Sequence, residues 1–329
     1  MITLKKILVP TCFCKGSKAA YDYAEAFAET FGGTIDFIHV VPTLKYFNES
    51  LKKVGYPFSL ENDLYPKVTA DAKEKAKKDQ EKFISEEHRG EVFVKIAPKA
   101  SEAILEQSKK NDYDLIIMGT RSEDPLDVIL GSTTEKVIRY STVPVLTTPP
   151  KAKVDEINTI LVPTDYSDRS MMSIRPAIRI ASSLNASVTL LHVRELYGSD
   201  ADNDPQAKGG ESDQDIEVRL ANKLEGYFSS EPDFEARLEG STEGDMYTVH
   251  FELNKKQYKV PLKIDVTRGI SAHYEIVDYA ENNADLICIT THGRSGLASL
   301  FLGSTTEKVI KWSKIPVMIT RTVMYKRKQ

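Results

Sequence analysis

Three cysteines in 329 residues cannot make a disulfide framework. Cys12 and Cys14 stand one residue apart, and no second Cys or His cluster accompanies them to complete a metal site. Cys288, inside ADLICIT, reads as a buried strand thiol. No apolar run approaches the roughly 18 residues that a membrane span needs, and strand-like KKILVP begins too early for a signal peptide, so the expected location is the cytoplasm. Neither sign of charge dominates: 44 Lys and Arg against 48 Asp and Glu leave a net charge of −4, so bulk electrostatics favour no polyanion. The densest basic stretch, Lys73 to Lys82 (KEKAKKDQEK), mixes signs and reads as a solvated helix face, so neither nucleic acid nor membrane is expected as a partner. The chain also lacks a Walker lysine, an evident base to orient water and an arginine finger with a defined role, so no catalytic residue is assigned.

What is present is duplication. The octapeptide GSTTEKVI occurs at Gly131–Ile138 and again at Gly303–Ile310, each time followed by a short basic stretch and an apolar run, RYSTVPVLTTP and KWSKIPVMITR. The starts of the halves match as well, from Lys5 to Val41 and from Asn158 to Arg194. A hydrophobic content of 41% with 28% charged residues suits a core in each half. The expected domains are 1–148 and 158–329, joined by a stiff linker at 149–157 in TPPKAKVDE.

Each half alternates short β-branched apolar runs with longer amphipathic stretches, which predicts a parallel sheet with crossover helices. In the first half, strands are expected near Ile7–Pro10, Thr34–Val40, Glu91–Ile96, Leu115–Gly119 and Val143–Thr147. Helices are expected over Lys15–Phe31, Lys67–Glu86, Ser101–Lys110 and Thr133–Tyr140. The second half should place strands near Thr159–Pro163, Ser187–Val193, Lys263–Val266, Leu286–Thr290 and Pro316–Thr320. The fold class is therefore α/β, two tandem doubly wound domains, each with a five-stranded parallel-type sheet and about four helices. The ILVPT stretches are 153 residues apart and the octapeptides 172, so the second half carries about 19 extra residues. They are assigned to an inserted hairpin at about 239–262, where MYTVHFELNKKQYKVPL alternates on both sides of NKK. Residues 198–215, GSDADNDPQAKGGESDQD, have almost no apolar character and are expected to form an acidic loop.

Ser132 with Glu135, and Ser304 with Glu307, have the spacing of a capping box, in which serine and glutamate satisfy free amides at a helix start. The same helix start also suits an anion. In the second half His292, Gly293, Arg294, Ser295 and Gly296 follow directly on the strand DLICITT, and glycines there let a backbone approach phosphate closely.

Together, ILVPTD, LLHV, THGRSGL, LGSTTEKVI and IPVMI resemble the universal stress protein family in its tandem two-domain form, over nearly the whole chain. The resemblance implies a Rossmann-like fold of the adenine nucleotide alpha hydrolase type, with the last strands pairing the halves about a pseudo-twofold axis and further association into a homo-oligomer left open. ATP-binding members of the family carry Gly-x2-Gly-x9-Gly-Ser/Thr after the fourth strand; here Thr290, Gly293, Gly303 and Ser304 keep that spacing with threonine in place of the first glycine. By this resemblance Pro163, Thr164 and Asp165 would hold the adenine and ribose of ATP, ADP or AMP, and Val193 would meet the base edge. Ile289 and Thr290 would close the strand end, and Gly293, Gly303, Ser304, Thr305 and Thr306 would surround the phosphates, with His292 and Arg294 adding contacts. Mg2+ would bridge phosphate oxygens without a protein cage. Asp165 has an alternative role as a turn or helix-capping residue before YSDRS. The first half has Cys12 in place of Asp165, Ser122 in place of Gly293, and Glu123, Asp124 and Asp127 near the phosphate position, so its site is expected to be degenerate. The implied role is a stress-response or regulatory nucleotide-binding protein in which ATP turnover is slow or absent; the alternatives are a slow ATPase and a nucleotide-free interaction scaffold that uses the acidic loop and the hairpin.

Overall fold

Strand β1 (Lys6–Pro10) lies at the middle of the first sheet, because Ile7, Leu8 and Val9 are fully buried and only a strand covered on both faces can use such a run. A computed structural model describes residues 4–44, 49–50, 53–55, 59–120, 130–150, 156–196, 212–230, 234–240, 246–253, 255–291 and 302–320. The chain divides into two compact units, Thr3–Val154 and Asp155–Gln329.

In the first unit β1 pairs in parallel with β2 (Thr34–Pro42) on one side and β4 (Leu115–Gly119) on the other. Strand β3 (Arg89–Ala97) adds beyond β2 and β5 (Val145–Thr148) beyond β4, giving the order β3-β2-β1-β4-β5. Helices Lys15–Phe31, Tyr65–Phe83, Ala100–Lys110 and Ser132–Tyr140 are the crossovers. The first ends on Gly32, whose left-handed φ of 62° lets the Gly33 amide reach the Ala28 carbonyl over 2.9 Å.

The second unit repeats the core with β6 (Thr159–Thr164), β7 (Ser187–Glu195), β10 (Lys256–Gly269), β11 (Leu286–Thr290) and β12 (Val317–Thr320), ordered β12-β11-β6-β7-β10 and parallel throughout. Helix Ile174–Leu184 stops on Asn185 at φ 56°, the counterpart of Gly32, and asparagine is one of the few side chains that tolerates that conformation.

This sheet is larger than five strands. Strands β8 (Ala236–Gly240) and β9 (Met246–Leu253) extend it antiparallel, and β9 pairs with the first part of β10 from Lys256 to Lys263. From Leu262 onward the same strand runs parallel to β7, so one continuous 14-residue strand serves both the hairpin and the parallel core. Phe228, Phe234, Phe251 and Tyr258 form an aromatic row here, with successive ring centroids 5.8, 5.3 and 5.3 Å apart.

The acidic stretch ends earlier than expected. Asp213 and Asp215 belong to the first turn of helix Asp213–Ser230, where the helix dipole favours them. The Ser212 amide donates to Asp215 Oδ2 over 3.0 Å and the Asp215 amide to Ser212 Oγ over 3.2 Å, a reciprocal cap. Residues 198–211, the rest of that stretch, lie outside the described residues. Among the described residues no helix is long and apolar enough to cross a membrane.

Candidate functional site

In each unit the sheet order reverses between the first and fourth strands, and a crevice is expected beyond their carboxyl ends. In the second unit these are β6 and β11. Strand β6 carries buried Pro163 and ends on Thr164, whose hydroxyl lies 2.9 Å from Ser170 Oγ and accepts the Tyr166 amide at 3.2 Å. The next residue, Asp165, is half-buried. Its Oδ1 accepts from both the amide and the hydroxyl of Ser167, at 3.0 and 2.6 Å, across Tyr166 in the left-handed conformation at φ 65°. Ser167 Oγ accepts the Ser170 amide at 3.1 Å and so caps helix Asp168–Met171. Asp165 thus builds the turn directly after the end of the strand.

At the end of β11, Ile289 and Thr290 are buried. Gly303 donates its amide to the Thr291 carbonyl at 2.8 Å, and Thr306 donates its hydroxyl to the Thr290 carbonyl at 2.8 Å. These two bonds hold the start of helix Ser304–Trp312 against the strand exit. The capping box expected at Ser304 and Glu307 is not formed. Gly303 is the N-cap, at φ −60° and ψ 140°, no side chain caps the helix, and Ser304 is already its first helical residue. Gly131 takes the same position before helix Ser132–Tyr140, and Glu135 pairs with Arg139 one turn on. The physical reason is that the Gly amide is drawn to the preceding strand, which shifts the helix start by one residue from the serine. Ser304 is exposed, Gly303 and Thr305 are half-buried and Thr306 is buried.

The ends of β6, β7 and β11 are adjacent, since Thr164 is in register with His192 and Leu161 with Ile287. Pro163, Thr164, Asp165, Val193, Ile289, Thr290 and Gly303–Thr306 therefore share the carboxyl edge of three neighbouring strands. His292, Gly293 and Arg294 lie outside the described residues.

Three residues absent from the sequence reading stand at the same edge. The Tyr166 ring lies 4.3 Å from the His192 ring, and the Arg219 guanidinium sits 4.3 Å from the Tyr166 centroid. His192 Nδ1 contacts the Thr164 carbonyl at 3.0 Å. The first unit repeats the arrangement: Phe13 stacks on His39 at 4.5 Å, Lys75 Nζ lies 4.7 Å from the Phe13 centroid, and His39 Nδ1 contacts the Thr11 carbonyl at 2.8 Å. The shared pattern of Thr, one residue, then an aromatic, with His late in the second strand of each half, was the available signal.

Charge at this edge is organised around Asp213. Arg194 at the end of β7 and Arg268 at the end of β10 both reach its Oδ1, at 3.0 and 2.8 Å. The hydrogen bond from Arg268, then that from Arg194, hold the Asp213 carboxyl below its usual value. Glu195 Oε1 accepts the Ala272 amide at 2.6 Å at the start of helix Ala272–Asn283. Burial, followed by the nearby Lys308 charge, holds the His273 imidazole below its ordinary value.

In the first unit Cys12 and Cys14 occupy the places of Asp165 and Ser167. Their sulfurs are bonded to one another across Phe13, a pairing that the sequence reading did not make. Among the described residues no group of three or more His, Cys, Asp or Glu side chains could hold a metal ion.

The family model described as the universal stress protein family matches residues 3–149 and 156–321. A universal stress protein of Methanocaldococcus jannaschii is 30% identical over 168 residues, covering 49% of this chain and 93% of that one. Stress response protein NhaX of Bacillus subtilis is 27% identical over 164 residues, covering 49% of this chain and 96% of its own length. Among solved structures, a universal stress protein from Archaeoglobus fulgidus aligns over 96% of this chain and 98% of its own at 19% identity, with a TM-score of 0.58, a likeness of fold.

Proposed function

Because this chain belongs to the universal stress protein family, we propose that it binds an adenine nucleotide, ATP before ADP or AMP, at the carboxyl edge of its second sheet and acts as a stress-response regulator. The observation that carries the reading is the pair of hydrogen bonds from Gly303 and Thr306 to the end of β11. They fix a helix start that has no side-chain cap beside the strand end bearing Thr164 and Asp165, and amides at such a start suit phosphate. A carboxylate at this strand end, Asp165, is the natural acceptor for a ribose hydroxyl or an exocyclic amine. The donor set suits Mg2+ carried by the phosphates, because such an ion needs few protein ligands.

The first unit keeps the glycine and threonine that tie helix to strand, with Thr134 Oγ1 donating to the Gly119 carbonyl at 3.0 Å. It lacks the carboxylate, so its site is read as degenerate and the stoichiometry as one nucleotide per chain. Binding to the folded state alone then couples nucleotide supply to the stability of the second unit.

Calorimetric titration of the full chain with magnesium ATP tests this. One site per chain is expected, and Asp165→Ala should weaken it about tenfold or more, the scale of a lost hydrogen bond to a charged group. Two equivalent sites, or unchanged affinity in D165A, would overturn the assignment. Mass spectrometry of nucleotide released from freshly purified, denatured protein identifies which one is held.

A further inference from the structure

The two units use the same turn after their first strand but fill it with different chemistry. The central residue is left-handed in both, Phe13 at φ 64° and Tyr166 at φ 65°. That geometry turns the flanking side chains toward each other. In the second unit the pair is Asp165 with Ser167, joined by a hydrogen bond of 2.6 Å. In the first it is Cys12 with Cys14, whose Cα atoms are 5.4 Å apart and whose sulfurs are bonded.

We propose that Cys12 and Cys14 form a redox-active dithiol that exchanges reversibly with low-molecular-weight disulfides. This inference does not rest on the nucleotide reading.

A structural staple is a poor description of the pair. The loop it closes spans only three residues, the length at which a crosslink restricts the unfolded chain least. The second unit holds the same turn with no covalent bond, so the backbone accommodates the reduced pair. Phe13, the residue between the two cysteines, is itself held by its stack on His39 and by Lys75 Nζ over its ring.

The surroundings also suit exchange. Cys12 is exposed and Cys14 half-buried, so an external disulfide reaches Cys12 first. Cys14 is the N-cap of the 17-residue helix Lys15–Phe31, whose positive end favours a thiolate. The Cys12 thiolate attacks one sulfur of a disulfide RSSR, breaking its S–S bond and releasing one thiolate RS−, which leaves a mixed disulfide on Cys12. The Cys14 thiolate then attacks the Cys12 sulfur, forms the Cys12–Cys14 bond and releases the second RS−. The two cysteines lose two electrons and two protons in all, and RSSR gains them as two RSH. Cys288 takes no part, since it is fully buried and burial pushes its thiol far up.

The test is intact-mass and peptide mass spectrometry of the reduced, natively folded full chain equilibrated with glutathione at a series of reduced-to-oxidised ratios. The wild type is expected to become lighter by two hydrogens, mapped to Cys12 and Cys14, with no stable glutathione adduct, and to revert as reduced glutathione rises. Cys14→Ser should instead retain one glutathione on Cys12, and Cys12→Ser should react at least tenfold more slowly. Far-UV circular dichroism matching the wild type confirms that both variants are folded. If either is not, the turn of the second unit, placed as the double substitution Cys12→Asp with Cys14→Ser, supplies the folded control, and the wild-type titration decides. A wild type that keeps a glutathione adduct, stays reduced under excess oxidised glutathione, or stays oxidised under excess reduced glutathione would overturn the proposal.

Discussion

The Thr306 hydroxyl donates to the Thr290 carbonyl over 2.8 Å, binding the start of a helix to the end of the strand that precedes it. Thr134 and Gly119 repeat the contact at 3.0 Å in the first unit. Both threonines are buried, so replacing either with valine leaves a carbonyl short of its partner with almost no change in shape. Thr306→Val is expected to lower stability by about 1 kcal/mol, and to weaken nucleotide binding by more than that loss of stability would explain. Urea unfolding and calorimetry on the same preparation separate the two effects.

Gly119 has a different constraint. A Cβ there would come within 2.1 Å of the Gly16 carbonyl oxygen, so backbone would have to move. Gly119→Ala should destabilise the first unit by roughly 1–3 kcal/mol, the range for overpacking. A thermal melt that matches the wild type would contradict the close approach of β4 to helix Lys15–Phe31.

The carboxyl of Asp213 is held low by Arg268 and Arg194, so its contribution has a definite sign with pH. The contribution is complete above the unfolded-state value of an aspartate, and it declines as pH falls through the lower folded value. Asp213→Asn should therefore cost stability at neutral pH and flatten the loss of stability on acidification below about pH 4. Chemical denaturation at a series of pH values reads both, and parallel curves for wild type and D213N would refute the coupling.

Phe251 is 2% exposed and touches the rings of Phe234 and Tyr258. Phe251→Ala should cost about 3–5 kcal/mol by leaving a cavity between the added antiparallel strands and helix Asp213–Ser230. Hydrogen exchange should then show β8 and β9 losing protection before β6 and β7, because the cavity lies under the added strands.

Much of the architecture was legible because buried parallel strands must be continuous apolar runs. Ile7 to Val9, Leu115 to Met118, Ile160 to Val162 and Leu286 to Ile289 announce themselves. Helix Asp213–Ser230 was hidden behind the polar stretch before it, although Ser212 and Asp215 have the spacing of the reciprocal cap that they form. Of the candidate site, the strand ends and the helix start were legible as elements. The roles of Tyr166, His192 and Arg219 were not, since a ring stack joins residues 26 and 53 positions from the aromatic.

The sequence by itself determined the duplication, the doubly wound class of each half and the polar types at the carboxyl edge, because repeats and burial on both faces leave a local imprint. Tertiary structure decided the rest. The octapeptide is compatible with a serine cap or a glycine cap, and hydrogen bonds from the Gly303 and Gly131 amides to Thr291 and Thr120, just past the preceding strands, select glycine. One left-handed backbone angle likewise turns Cys12 and Cys14 into a bonded pair where the other half has Asp165 and Ser167, since side chains two apart meet only when the residue between them reverses the chain.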